Sequence, residues 1–476
     1  MTTHAAGLRL STPRVLSFAT VGLVLGYLLI SVSVFLPPLL ASHLGVSLTV
    51  IGSAWAIVRL IDIAIDPALG IVMDRTTTRF GRYRAWLMLG APILMAAIYA
   101  LFEAPSGIGF GYLLGWLLVF YLGVSILTVA HSSWAAKLAT DYDERSRVFG
   151  LIAMISVVGG VLVLAFPLLA KPLDWSSAQA VQAMGWFVFG LTPLVVGLVC
   201  LRTAEPRRGD GDHVRLHDVK ALLAKPDLIR LLLAQLTLTL GPGWMSALYL
   251  FFLTQARGFT IGAASVLLLV YMVAGVFGAL VTARVAVWFS KHRTLVATAA
   301  SFSLGLCSVA IVPKANLLAT MPVMAWAGFM GAGFDMMIRA MLADVADEVR
   351  LEQGKDQISL IYALNSAANK VAAALAIGLT FPLLAYIGFN PADGAHNTVA
   401  AIRGLELAFI VGPIVFVMLG ACSVMGWKLG PQRHAEIREQ LLVRDSMHGQ
   451  ASIMEITTLD NAGVAATQSA AEPFAG

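Results

Sequence analysis

The sequence predicts an all-α membrane protein of 12 transmembrane helices in two six-helix halves, and three observations carry that prediction. The chain of 476 residues is 58% hydrophobic and 12% charged, with a mean hydropathy of +0.82. A soluble protein carries about 25% charged residues. Apolar runs long enough to cross a hydrocarbon core of about 30 Å as helices recur along it. The basic residues between those runs fall overwhelmingly on one side.

The first six runs span roughly 15–41, 48–73, 85–104, 109–136, 148–172 and 181–202. The second six span roughly 227–255, 260–289, 295–313, 317–341, 358–387 and 404–428. The first run is too long for a signal-peptide core and lacks a small-residue cleavage site, so it reads as a retained helix. Residues 1–202 and 227–428 form the two halves, and 203–226 is the linker between them. Residues 429–476 read as a polar tail ending in small, almost uncharged residues, expected to be disordered. Cys200, Cys307 and Cys422 lie inside apolar runs and read as core residues, with no metal or disulfide spacing.

Placing both termini in the cytoplasm leaves Lys171, Arg257, Lys314 and Arg403 outside and Arg59, Arg284, Arg339 and Lys370 within spans. The other 24 of the 32 basic residues then face the cytoplasm. They flank membrane segments, so the net charge of +5 does not point to nucleic acid. A weak internal repeat relates the halves. Arg79-Phe80-Gly81-Arg82 after the second span matches Trp288-Phe289-Ser290-Lys291 after the eighth, 209 positions later. Asp141 and its neighbours after the fourth span match the Asp344 region after the tenth. Related halves of this kind enclose a site near the midplane and alternate its exposure by rocking.

Charges inside the membrane are expensive and point to function. Arg59, Asp62 and Asp66 share one face of the second span, at i, i+3 and i+7. Two carboxylates one turn apart repel each other, which a coupling cation or a bound proton relieves. Lys370 in the eleventh span, with Asn365 and Ser366, is their natural counter-charge. Asp335 and Arg339 in the tenth span, at i and i+4, serve either as a substrate contact or as a structural pair. Thr128, His131 and Trp134 in the fourth span form a polar and aromatic patch that could line a cavity. Asp74 beside Arg75 and Arg82 could pair between helices and break as the halves rock. No phosphate-binding GxxxxGK[ST] loop, metalloprotease motif or nucleophile elbow is present, so neither ATP-driven transport nor an enzyme is expected.

The stretch RLIDIAIDPALGIVMDRTTTRFGRYRAWLMLG resembles the helix 2 and loop 2–3 signature of the glycoside–pentoside–hexuronide:cation symporters, the melibiose-permease-like branch of the major facilitator superfamily. LATDYDERSRVFG, with Asp141 and Arg145, is similar to their loop 4–5. MLADVADEVRLEQGKDQISLIYALNSAANK is similar to their loop 10–11 and helix 11. The resemblance implies a major facilitator fold in the cell inner membrane, with the lipid bilayer and a small molecule as its partners and a monomer as the working unit. It implies secondary active symport of a sugar or glycoside, with no cofactor beyond a coupling H+ or Na+. It places Asp62 and Asp66 as the cation-site carboxylates, Ser125 as a hydroxyl beside them, Lys370 as the link to the substrate, and Asn365 and Ser366 at sugar-contact positions.

The departures bear on specificity. Gly26 replaces a sugar-binding aspartate, Thr128 and Ser132 replace an aspartate and a tryptophan, Ala153 replaces an arginine, and Asp335 stands where an aromatic is usual. Ile65 replaces an asparagine ligand for sodium, which favours a proton over sodium as the coupling ion. A carrier of an amphiphile or lysolipid is the rival within transport, and a non-transporting receptor is the rival outside it. With this topology, a reporter fused at Gly430 scores as cytoplasmic; a periplasmic score would invert the orientation.

Overall fold

A computed structural model describes residues 11–76, 78–138, 142–170, 172–205, 222–354, 357–392, 395–430 and 432–444. Every regular element among them is helical. Twelve helices are long and apolar enough to cross a membrane: α1 Thr12–His43, α2 Leu48–Met73, α3 Arg82–Phe102, α4 Phe110–Ala135, α5 Arg147–Ala170, α6 Ser177–Arg202, α7 Pro226–Ala256, α8 Ile261–Ala286, α9 Lys291–Ala310, α10 Leu317–Gln353, α11 Leu360–Tyr386 and α12 Val399–Ser423. Successive helices run in opposite directions. The bundle therefore has a proximal face, where α1 begins and α12 ends, and an opposite, distal face.

Helix starts at the distal face follow from local chemistry. Ser47, Ser176, Thr260, Asn316 and Thr398 each accept, through their side-chain oxygen, the N–H three residues on. That satisfies a donor which no helical carbonyl can reach. Within α1, π-helical turns at Ser31–Phe35 and Leu39–His43 flank Pro37 and Pro38. Prolines lack the N–H that a regular ladder requires, and the helix accommodates them by widening.

The neighbour pattern repeats with a shift of six helices. The pairs α1–α5, α2–α4, α3–α4 and α3–α6 recur as α7–α11, α8–α10, α9–α10 and α9–α12. The repeat reaches single residues. Gly81, before α3, has φ of 101°, and Ser290, its counterpart before α9, has φ of 82°. Both turns therefore use a left-handed backbone, although only one carries glycine. At the first turn the Glu205 carboxylate, just beyond α6, accepts the N–H groups of Arg82 at 2.7 Å, Tyr83 at 2.9 Å and Arg84 at 3.3 Å. A negative charge at the positive end of a helix is favourable, and here it ties the ends of α3 and α6 together.

Three expectations change. The tenth helix continues to Gln353, well past its apolar run, because ADVADEVRLEQ consists mostly of good helix formers, and it stops at the left-handed Gly354. Within the tail expected to be disordered, residues 432–444 form a further helix, α13, with Ile437 and Leu441 buried. It is held by His434, 3.0 Å from Asp347, and by Arg444, which donates to the carbonyl of Arg350 at 2.9 Å. Residues 445–476 and most of the linker, 206–221, lie outside the described residues. Cys307 and Cys422 are exposed on the bundle rather than in its core, because an apolar run does not separate core-facing from lipid-facing positions.

A Cβ at Gly81 would enter the Glu205 carboxylate, and alanine is strained at that φ. Gly81→Ala is expected to lower stability by about 1–3 kcal/mol, seen as a lower melting temperature in detergent, whereas Ser290→Gly does not lower it. An unchanged midpoint for Gly81→Ala would contradict the role given to this turn.

Candidate functional site

The two halves meet where α2 packs on α11, and small residues set how closely. A Cβ on Gly378 of α11 would come within 2.6 Å of the Ala56 methyl of α2, and one on Gly52 within 2.9 Å of Pro382. This contact seals the distal part of the interface. A second close approach, within the first half, involves Gly26. A Cβ there would overlap the backbone of Ser156 on α5, so α1 and α5 touch main chain to main chain. No side chain fits at position 26, which explains physically why an aspartate is missing there.

About two to three turns from the distal seal, the charged residues of α2 and α11 converge. Lys370 lies 2.6 Å from Asp66 Oδ2 and 2.9 Å from Asp62 Oδ2, and its ammonium also donates to the Asp62 main-chain carbonyl at 3.0 Å. All three N–H donors of the lysine are thereby used. Ser125 of α4 donates to Asp62 Oδ1 at 2.8 Å. The Arg59 guanidinium stands 3.6 Å from Asp62 Oδ2 and 4.2 Å from the centre of the Tyr121 ring, a cation–π contact. Asp62 is only 2% exposed, whereas Asp66 is 29% exposed. Among the described residues Asp66 Oδ1 is buried and has no hydrogen-bond partner. Two cations thus face two carboxylates, and the more accessible carboxylate keeps a free oxygen.

Beside this cluster is a cavity of about 430 Å³ between the halves. Arg59, Tyr121 and Trp55 reach it from the first half; Gln235, Asn369 and Asp335 reach it from the second. Toward the proximal face, Asp335 and Arg339 form an ion pair at 2.7 Å, with side chains 49% and 58% exposed. The α2–α11 contact therefore bounds the cavity on the distal side, and the exposed Asp335–Arg339 pair opens it toward the proximal side.

Of the residues expected at the site, Asp62, Asp66, Arg59, Lys370 and Ser125 come together, and Asp335 lines the cavity. The fourth-span patch does not line it. Trp134 is fully buried, packed edge-on against Phe18 at 5.5 Å. His131 stacks on Phe18 at 4.4 Å, with Nε2 2.9 Å from the Phe18 carbonyl, so it joins α4 to α1. Thr128, half-buried, sits one turn from Ser125 and outside the cavity lining. Asn365 is buried away from the cavity, and Ser366 is exposed on another face of α11. The position one turn on, Asn369, turns inward instead. Of the gating residues, Arg82 takes part in the Glu205 cap; Asp141 and the side chains of Asp74, Arg75 and Arg145 lie outside the described residues. Trp55, Gln235 and Tyr121 emerge only from the structure. For Gln235 the signal was present, an amide inside an apolar run.

Comparison with known proteins agrees with this geometry. The family model described as MFS/sugar transport protein matches residues 17–430. The chain is 23% identical over 424 residues to the uncharacterized symporter YnaJ of Bacillus subtilis (strain 168), covering 85% of this chain and 89% of that protein. It is 25% identical over 422 residues to the lactose permease of Lactobacillus delbrueckii subsp. bulgaricus, covering 81% of this chain and 64% of the permease. Its fold is similar to that of a bacterial homolog of the human lysosomal transporter Spinster, solved in an inward-facing and occupied conformation, with a TM-score of 0.65, 16% identity and coverage of 87% and 96%. Its relatives are transporters rather than enzymes. The chain is a multi-pass membrane transport protein and belongs to the glycoside–pentoside–hexuronide:cation symporter family of the major facilitator superfamily.

Proposed function

We propose that this chain is a symporter that couples the proton gradient to uptake of a sugar or glycoside by alternating access. The observation that carries the reading is the lysine shared by two carboxylates across the half–half interface, directly beside the central cavity. With both termini cytoplasmic, the proximal opening makes this the inward-facing state. Relatives named as lactose and isoprimeverose transporters support a sugar as substrate. An acyl chain would leave Gln235 Oε1 and Trp55 Nε1, buried on the cavity wall without a partner among the described residues, unmatched, which places an amphiphile second.

The coupling step follows from charge balance. In the membrane interior, two cations and two carboxylates are tolerable only together. A proton taken up by Asp66, the more exposed of the two carboxylates, neutralises it and weakens its hold on Lys370. The lysine can then release α2, and the halves can rock. Sodium is the weaker candidate. It needs several oxygen ligands, yet Ser125 already donates to Asp62 Oδ1, Lys370 stands between the carboxylates, and Ile65 offers no lone pair. Each unit charge entering across 100 mV supplies about 2.3 kcal/mol for accumulation.

The test is uptake of labelled sugars by proteoliposomes, first with sodium varied at fixed pH, then with a pH gradient imposed at fixed sodium. Accumulation is expected to follow the pH gradient; strong sodium stimulation without a pH response would overturn proton coupling. Ile65→Asn is expected to introduce a sodium response. Asp62→Asn and Asp66→Asn are expected to lose accumulation while retaining substrate binding. If either variant concentrates substrate as the parent protein does, that aspartate is not in the coupling path.

A further inference from the structure

Trp55, Gln235 and Asn369 on the cavity wall have hydrogen-bonding capacity that no group among the described residues is seen to use. Trp55 is 1% exposed, and its indole Nε1 has no partner among the described residues. Gln235 is 2% exposed, and its Oε1 is likewise unpartnered. The amide nitrogen of Gln235, by contrast, is fully committed: it donates to Thr239 Oγ1 at 2.8 Å and to Asn369 Oδ1 at 3.0 Å. Thr239 also donates to Asn369 Oδ1, at 2.7 Å. This chain of bonds fixes both amides. It aims one acceptor, Gln235 Oε1, away from the network, and it leaves the Asn369 amide nitrogen as a donor. Asp335 Oδ1, on the same wall, is also buried without a partner among the described residues. Buried polar atoms are normally paired, so three orphans on one cavity wall need an explanation.

We propose that Trp55, Gln235 and Asn369 form the hydroxyl-reading subsite of this carrier. The inference rests on the sugar or glycoside reading above and assigns its recognition residues. The Trp55 N–H and the Asn369 amide nitrogen donate to ring hydroxyl oxygens, and Gln235 Oε1 accepts a hydroxyl proton. Hydroxyls, each both donor and acceptor and repeated around a compact ring, satisfy such a mixed set from two sides; an alkyl chain satisfies none of it. The placement also ties recognition to coupling. Asn369 precedes Lys370 on α11, and Trp55 lies one turn before Arg59 on α2 and between Gly52 and Ala56, the residues that seal the distal side. A ring held by both helices bears on the seal and on the ion cluster together. The three reading groups therefore come from α2, α7 and α11, and α1 lines the cavity with Leu29, Ile30, Ser33 and Val34 but has no room for a side chain at Gly26.

The experiment uses the purified full chain in nanodiscs. Binding of the methyl glycosides of glucose, galactose and xylose is compared with binding of their monodeoxy analogues, for the parent protein, Gln235→Leu and Trp55→Phe. Trp55→Phe keeps the ring and removes the N–H; Gln235→Leu removes the acceptor. Each variant is expected to lose about tenfold to a hundredfold in affinity for the preferred glycoside. Each should lose little for the one deoxy analogue that lacks the hydroxyl it reads, and the affected hydroxyl should differ between the two variants. If the parent protein binds a glycoside but the variants shift all analogues equally or none, the subsite is overturned while the symport reading stands. If the parent protein binds no glycoside in the panel and its proteoliposomes accumulate none, both fall. Trp55→Phe guards the test against misfolding of Gln235→Leu, because the Thr239–Asn369 bond does not depend on it.

Discussion

One lysine shared between two aspartates holds this transporter's two halves in register. Lys370 spends all three of its donors on α2, on two side chains and one main-chain carbonyl. Such a group is tolerable in a membrane only because its partners neutralise it, and removing one partner of a buried pair costs about 3–5 kcal/mol. The arrangement needs helices that approach closely. The small residues Gly52, Ala56 and Gly378 supply that approach, so packing at the distal seal and ion pairing at the midplane depend on each other.

The main-chain contact of α1 with α5 at Gly26 leaves no room for a side chain there, and the polar groups on the cavity wall sit mainly on α2, α7, α10 and α11. The proposed recognition residue Asn369 shares its helix with Lys370, the lysine proposed for coupling. On the proposed reading, substrate and proton would meet through Asn369 and Lys370, adjacent on one helix, rather than through a long pathway.

The helices and the charged cluster were legible in the sequence for simple reasons. Lipid permits only helices that satisfy their own backbone, and charges within such helices must meet partners, so Asp62, Asp66 and Lys370 could be matched before any coordinates. Positions one turn apart were harder. Asn365 and Asn369 are chemically alike, and only the rotation of α11 decides that the second faces the cavity. His131 and Trp134 looked functional because they are polar and aromatic, but tertiary packing against Phe18 gives them a structural part. Hydropathy likewise cannot see a helix that leaves the bilayer, hence the extension of α10 to Gln353, nor one like α13 whose few apolar residues dock on the proximal face.

The most direct test of the shared lysine is charge-balance rescue, read as substrate counterflow in proteoliposomes without any ion gradient. Lys370→Gln leaves two carboxylates facing Arg59 alone, and counterflow is expected to be lost. Adding Asp66→Asn to Lys370→Gln restores one negative to one positive charge, and counterflow is expected to return while gradient-driven accumulation stays absent. A double variant as inactive as Lys370→Gln alone, in a protein that still folds and inserts, would contradict the sharing of Lys370 between Asp62 and Asp66 as the interaction that governs movement of the halves.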